Sequence, residues 1–265
     1  MNIIAIDIGN TNITAGLFLD GIEAGIEKTS GSKPEELAEV LTGYWNRIPF
    51  ARASKDKTKR DGVIVVASVK PQWTEIVKKT VQEKLGEKIL EIGIGKDVPL
   101  PMDLDVDQPG QVGVDRVLEA FAAFSVADEA VIVADFGTAV TIDIVDDKGV
   151  FLGGTILPGF DISADALNRL TASLPKIGKI KVPEKSFGRN TVEAINNGLY
   201  YSAIGALEVI SRLYSEHLGK WPQTVATGGN MEIVRSGCDF VDSFVEDLVV
   251  KGIALAYKKY IGEKI

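Results

Sequence analysis

The sequence predicts an α/β protein built on one plan used twice, and three observations carry that expectation. The run Ile3-Ile4-Ala5-Ile6-Asp7-Ile8-Gly9-Asn10-Thr11-Asn12 returns in altered form as Val131-Ile132-Val133-Ala134-Asp135-Phe136-Gly137-Thr138-Ala139, close to half of the 265-residue chain later. After each glycine an apolar-rich stretch resumes, Ile13 to Leu19 and Ala139 to Val145. Each motif therefore sits in a β-hairpin, unlike the strand-to-helix turn of a dinucleotide or P-loop site. Finally, strand-like and helix-like stretches follow the two hairpins in a similar order, which argues for duplicated domains.

The elements can be justified in turn. Strands end near Ile8 and Leu19, a third covers Ile22 to Thr29, and a helix runs from about Lys33 to Arg47, with Pro34 suited to a first turn. Gly62 to Ser68 is a short apolar strand, Pro71 and Gln72 open a helix to about Leu85, and Ile89 to Ile94 forms another strand. Residues 95–112 hold prolines or glycines at 99, 101, 109 and 110, with acids at 97, 103, 105 and 107, and read as an irregular connection. A helix from Asp115 to about Ala127 puts Val117, Leu118, Phe121 and Phe124 on one side. Strands start at 131, 139 and 149, a helix covers about 161–171, and residues 174–190 read as a loop. A long helix runs from Asn190 or Thr191 to about His217; Thr224 to Ala226 is a strand, and a last helix fills 247–260. These readings divide the chain into an N-terminal half, 1–112, and a C-terminal half, 113–265.

The motif's chemistry points to phosphate. A strand ending in Asp places a carboxylate at the mouth of a sheet, where it can hold a hydrated cation. Gly9 and Gly137 are expected to let backbone approach a phosphate and to accept positive φ in a tight turn. Asn10, Thr11, Asn12 and Thr138 add side-chain donors beside exposed amides, a cradle for an anion. Two such halves facing each other would form a nucleotide cleft.

Composition narrows the classes. Hydrophobic content of 45% and charged content of 25% suit a globular protein. A net charge of −8 argues against nucleic acid or anionic membrane as the main partner. The basic cluster Arg52, Lys55, Lys57, Lys59 and Arg60 is interleaved with Asp56 and Asp61, lacks an aromatic for stacking, and reads as a solvated loop. Cys238 is the sole cysteine, which excludes an internal disulfide or a Cys-based zinc cluster and fits a reducing cytoplasm. No signal segment and no run of about 18 apolar residues is present, so a cytoplasmic location without membrane anchoring is expected.

Among catalytic candidates, Gly113-Val114-Asp115-Arg116 immediately precedes a helix. An Asp there is expected to stay ionised, held by the dipole and free amides, and able to accept a proton. Arg116 offers a fork for phosphate or carboxylate. From the tetrapeptide alone, a capping Asp beside a surface Arg is the simpler explanation, and it is the company of the two repeated Asp turns that favours a functional role. His217, the sole histidine, lies in a polar helix end, and nothing nearby resembles a nucleophile elbow. Three spaced aspartates with glycine turns favour metal-assisted phosphoryl transfer, in which a protein mainly positions groups and neutralises charge.

The ordered set of motifs closely resembles the type III pantothenate kinases, members of the acetate kinase, sugar kinase, chaperone and actin superfamily. The resemblance runs through Asp7-Ile8-Gly9-Asn10-Thr11, Ala67-Ser68-Val69-Lys70-Pro71, Gly113-Val114-Asp115-Arg116 and Asp135-Phe136-Gly137-Thr138-Ala139. It continues through Gly153-Gly154-Thr155-Ile156-Leu157-Pro158-Gly159, Thr171 to Pro175, Gly188-Arg189-Asn190-Thr191 and Thr227-Gly228-Gly229. It implies duplicated ribonuclease H-like (actin-like ATPase) domains with a cleft between them, and ATP-dependent phosphorylation of pantothenate on its primary hydroxyl. Asp115 would then be the base, and Gly113, Val114, Asp115, Arg116 and Thr191 would contact pantothenate. The turn from Asp7 through Ile8, Gly9, Asn10, Thr11 and Asn12 to about Thr14, with Thr138, would bind ATP phosphates, with Asp7 reaching magnesium (Mg2+) through water. Gly228 and Gly229 would lie near the nucleoside. Asp135 would take a monovalent cation, potassium or ammonium (K+ or NH4+), and the protein would form a homodimer.

One segment departs from the family pattern. Where the family usually carries Tyr-x-Asn-Pro-x-Glu-Val-Gly, this chain has Val106, Gln108 and Gln111 in place of the Tyr, Asn and Glu. The change removes a hydroxyl and aromatic face that would touch pantothenate, and a charge beside the active site. Two other readings stay open on sequence: a superfamily kinase for another small hydroxylated acceptor, and a non-catalytic regulatory or binding paralogue.

Overall fold

In the computed structural model, residues 1–30, 32–51 and 59–263 are described. The chain begins β1 (Ile3–Ile8), β2 (Asn12–Leu19), β3 (Ile22–Ser30), α1 (Pro34–Arg47), β4 (Val63–Ser68), α2 (Pro71–Leu85) and β5 (Ile89–Glu91). A 3-10 turn at Pro109–Gln111 leads into α3 (Val114–Ala127), β6 (Val131–Phe136), β7 (Ala139–Val145), β8 (Phe151–Pro158) and α4 (Phe160–Leu170). The remainder is α5 (Thr191–Leu218), β9 (Gln223–Thr227), α6 (Met231–Val234), β10 (Ser243–Phe244) and α7 (Leu248–Tyr260).

The strands form two five-stranded sheets, ordered β3-β2-β1-β4-β5 and β10-β9-β6-β7-β8. Read from its other edge, the second sheet matches the first strand for strand. In each, the Asp-bearing strand is central, antiparallel to its hairpin partner and parallel to a strand that returns later (β4 beside β1, β9 beside β6). The duplicated α/β plan expected from the repeat is thus present in the strand order.

Packing separates two compact units, one comprising Met1–Asp103, Asp107–Ser125 and Asp247–Ile265, the other Leu104–Val106 and Val126–Glu246. The sequence places a boundary at 112/113, whereas α3 and α7 pack with the first sheet. The reason lies in alternation along its strands, whose successive side chains face opposite sides. Ile4, Ile6 and Ile8 meet Leu37, Leu41 and Trp45 of α1 and Val77 and Val81 of α2. Ile3 and Ala5 face the other way, and there Leu118 and Phe121 of α3 and Val250, Ile253 and Ala256 of α7 cover them. Gly252 lets α7 approach the backbone of α3 closely, since a methyl group there would overlap the Leu118 carbonyl. In the second unit, Ile132, Ala134 and Phe136 of β6 and Val140 and Ile142 of β7 pack on Phe160 of α4 and Tyr200, Ile204 and Leu207 of α5.

Several boundaries differ from expectation for local reasons. β5 stops at Glu91 because Gly93 and Gly95 adopt φ of 154° and 70° and turn the chain, leaving a single bridge from Ile92 to Val98. β8 starts at Phe151 because an Asp146–Gly149 turn, with Gly149 at φ 76°, occupies the preceding residues. The short α6 and β10 carry no periodicity that a sequence reading could use. The loop expected over 174–190 contains no helix or strand. In the basic cluster, Arg52, Lys55 and Lys57 lie outside the described residues. Arg60 departs from the solvated reading: its guanidinium stands 4.7 Å over the Phe50 ring and donates to the carbonyls of Asn46 and Ile48. Among the described residues, no helix is long and apolar enough to cross a membrane.

Candidate active site

The first hairpin delivers the first set of candidate residues. Gly9 N donates to Asn12 O at 3.1 Å and closes the turn, leaving Asn10, Thr11 and Asn12 exposed at its tip. Asp7 is half-buried one residue before the end of β1, opposite Thr14 on β2 and Ala67 on β4. The parallel pairing with β4 brings Val69 N to Ile8 O at 3.1 Å and so fixes the β4–α2 turn beside the hairpin. From that turn Lys70 Nζ donates to Asn10 O at 3.0 Å. This lysine escaped the sequence reading, because only the register of two strands sixty residues apart puts it there.

The expectation of positive φ at Gly9 and Gly137 is not met, since neither is among the left-handed glycines. What the positions need is room. A Cβ on Gly137 would stand 3.0 Å from Asp135 Oδ2, and one on Gly9 would stand 3.4 Å from Asn12 O. The missing side chains let the backbone fold tightly next to the preceding carboxylate.

Gly113, Val114, Asp115 and Arg116 form the head of α3 in the same unit. The helix begins at Val114, so Asp115 belongs to its first turn and is not the cap. Its Oδ1 accepts the amide of Arg116 at 2.9 Å, and the space for that carboxyl exists because Gly113 has no side chain. The expected effect of the helix terminus is outweighed. Burial pushes the Asp115 carboxyl above its ordinary range, against the lowering effects of the Arg116 amide and the Arg116 guanidinium. A carboxylate destabilised by desolvation is a stronger base than one in water, which suits proton abstraction from an alcohol.

The second unit assembles Asp135, Gly137, Thr138, Gly228 and Gly229. β9 runs beside β6 so that Thr227 lies opposite Asp135, and the chain then turns at Gly228 with φ 93°. A methyl group on Gly228 would overlap Asp135 Oδ1 and crowd the Phe136 backbone, while Gly229 faces open space. Asn230 N donates to Phe136 O at 3.0 Å and fastens this turn to the hairpin. Gly159 seats the β8–α4 turn on the same hairpin, its amide donating to Thr138 O at 3.2 Å. Thr191 lies exposed as the first residue of α5. Asn190 caps that helix by accepting Glu193 N at 3.0 Å, and the Glu193 carboxylate accepts the Arg189 amide at 2.8 Å in return. That amide and the Asn190 side chain hold Glu193 below the usual carboxylate range.

The donor sets fit different cations. Among the described residues, no group of three or more His, Cys, Asp or Glu gathers to cage a metal. Magnesium needs no such cage, since it binds through one or two carboxylates, retained waters and substrate phosphates. Asp135 is flanked in register by Thr141 and Thr227, both buried, and Thr141 Oγ1 has no hydrogen-bond partner among the described residues. A carboxylate flanked by two buried hydroxyls, one of them unsatisfied, is an oxygen donor set that could hold a hard cation. Other chemistries find no support. Cys238 is buried and its thiol is pushed up to about 11 by burial, so it is inert as a nucleophile. His217 is exposed in the last turn of α5.

The geometry at Gly228 makes a measurable prediction. Gly228→Ala forces both a strained φ and an overlap with Asp135, and should cost about 2 kcal/mol in urea unfolding. Gly229→Ala, in open space, should stay within about 0.5 kcal/mol of the wild type. Equal costs at the two positions would contradict the packing described.

Comparisons with known proteins identify the family. The sequence profile of the family described as type III pantothenate kinase matches residues 3–212. A type III pantothenate kinase from Sulfurihydrogenibium sp. is 34% identical over 257 residues, covering 95% of this chain and 97% of the relative. One from Moorella thermoacetica is 33% identical over 258 residues, covering 97% and 99%. Among solved structures, a Sinorhizobium meliloti protein described as a 2-dehydro-3-deoxygalactonokinase superposes with a TM-score of 0.59 at 12% identity, covering 97% of this chain and 98% of its own. A Campylobacter jejuni protein described as a Baf family transcriptional activator gives 0.57 at 18% identity, with 98% of each chain covered. At such identities these two likenesses establish the fold alone, the duplicated actin-like ATPase architecture of the sugar kinases. With most of its length matched by the profile and by relatives above 30% identity, the chain belongs to the type III pantothenate kinase family.

Proposed function

We propose that this chain transfers the γ-phosphoryl group of ATP to the primary hydroxyl of pantothenate, giving 4′-phosphopantothenate, the first step towards coenzyme A. The observation that carries the reading is the pair of Asp-x-Gly hairpins on matching central strands, in a chain of this family. Ile8, Gly9, Asn10, Thr11 and Asn12, with Thr138, cradle the phosphates, and Asp7 holds magnesium through water. Gly228 and Gly229 lie against the nucleoside, and Asp135 holds potassium or ammonium with help from its threonine neighbours. Gly113, Val114, Arg116 and Thr191 position pantothenate while Asp115 takes the hydroxyl proton. Magnesium, when bound with ATP, neutralises charge on the transferring group. The 1–112 and 113–265 halves are read as the duplicated units of ancestry, and the protein as a cytoplasmic homodimer. Family membership supports the dimer, as does the exposed side of α5 bearing Tyr201, Val209 and Leu213.

The direct test is turnover of ATP with magnesium and potassium, with and without pantothenate, following 4′-phosphopantothenate by mass. Pantothenate-dependent product is expected. ATP turnover without it would assign the changed Val106, Gln108 and Gln111 to a different acceptor, and absence of turnover under any cation would favour a binding protein.

Asp115 yields a prediction with two readouts. Its carboxyl is raised in the folded state, so the folded protein binds the proton more tightly than the unfolded chain. Asp115 therefore costs stability as pH rises from the ordinary carboxylate range through its raised folded value, and costs most above it. Asp115→Asn should lower turnover by about 10²- to 10⁴-fold and be more stable than wild type at pH 8, with the difference fading at pH 4. Turnover near that of the wild type would remove Asp115 from its role, and lower stability at pH 8 would contradict the desolvation.

A further inference from the structure

A phosphate cradle needs positive charge, and the two hairpins supply none from their own sequence. The first Lys or Arg in the chain is Lys28, well beyond the first turn, and residues 117–147 contain neither. Exposed amides and the side chains of Asn10, Thr11 and Asn12 can donate to phosphate, but the one formal charge in the first hairpin's own sequence, Asp7, has the wrong sign. Magnesium answers part of that deficit. A further cation at the turn tip would act on the phosphate oxygens that the metal leaves uncovered.

We infer that Lys70 is that cation, a phosphate-binding residue delivered to the first hairpin by the β4–α2 turn; the inference rests on the nucleotide reading above. Three features hold the ammonium in place. The carbonyl of Asn10 accepts one of its protons at 3.0 Å, which sets it at the tip of the turn and leaves two protons to donate. The Trp73 ring lies beneath it, with Nζ 3.3 Å from the centroid, and the contact limits its rotamers. Its backbone is fixed as well. Lys70 N donates to Ser68 Oγ at 3.0 Å, and Thr74 Oγ1 donates to the same oxygen at 2.7 Å.

The arrangement exceeds what stapling a hairpin needs. Val69 N to Ile8 O and the β1–β4 register already join the two segments. A long charged side chain carries about 2 kcal/mol of rotamer entropy, and an exposed contact recovers little of it. A half-buried lysine held over an aromatic ring is ordered before ligand arrives, so less is lost when phosphate binds. Because an ammonium acts as a point charge, it would follow the number of phosphates and ignore the base and sugar.

The test compares binding of MgATP and of adenosine, by titration calorimetry at two salt concentrations, to wild type, Lys70→Met and Lys70→Arg. Lys70→Met should weaken MgATP by about 10- to 100-fold, less at high salt, and leave adenosine within about twofold. Lys70→Arg should recover most of the MgATP affinity. Unchanged MgATP affinity in Lys70→Met would overturn the inference. So would equal losses for MgATP and adenosine together with a lower melting temperature without ligand, which would make Lys70 a staple of the fold. A wild type that binds no MgATP while melting cooperatively would fail the kinase reading itself, and the role of Lys70 with it.

Discussion

Each sheet is organised around a strand that cannot shift. β1 is bonded on one side to its hairpin partner and on the other to a strand reached after a long excursion, and β6 repeats the arrangement. In the first sheet, Ile4, Ile6 and Ile8 fill one core while Ile3 and Ala5 fill another. A slip of one residue would exchange the two faces and ruin both cores. The same register decides what lies beside each aspartate: Thr14 and Ala67 at Asp7, Thr141 and Thr227 at Asp135. Hydrophobic burial thereby sets the positions of the polar residues at the sheet ends.

The two hairpins share a scaffold and differ in their surroundings. Beside Asp135, two buried threonines and the Gly228 turn close in on the carboxylate. Beside Asp7, the turn tip is open and a lysine from the next strand connection stands over it. On the proposed function, one copy holds a resident cation and the other receives an anion with its metal. Asp115 illustrates a different use of environment. Its burial works against folding at neutral pH, and the same burial strengthens it as a base. Stability is surrendered at the point where the proposed chemistry needs it.

Much of this was legible in the sequence because the long elements carry strong periods. α2 begins and ends where its proline and the residue before Gly86 predict, and Gly86 takes the left-handed conformation that closes a helix. The twin Asp-x-Gly hairpins were visible as a repeat. What escaped depended on three-dimensional neighbours. No pattern local to residues 114–127 or 248–260 says which sheet their apolar faces will cover, so the placement of α3 and α7 emerged only from packing. The role of Gly137 was misread as conformational, when the requirement is space beside Asp135. Asp115 was expected to be a favoured anion from its place at a helix head, and burial reversed the sign. Lys70 sits inside a recognisable motif, yet its reach to Asn10 follows from strand register alone.

On the proposed function, the two hairpin turns are one device used twice, both engaged when nucleotide binds. Hydrogen–deuterium exchange of backbone amides, with and without MgATP, examines that claim at the atoms concerned. On the proposed function, addition of MgATP should slow exchange at residues 10–11 and at Thr138, while the Gly9 and Gly137 amides, already bonded within their hairpins, should change little. Protection confined to one hairpin, or appearing only away from both, would contradict it.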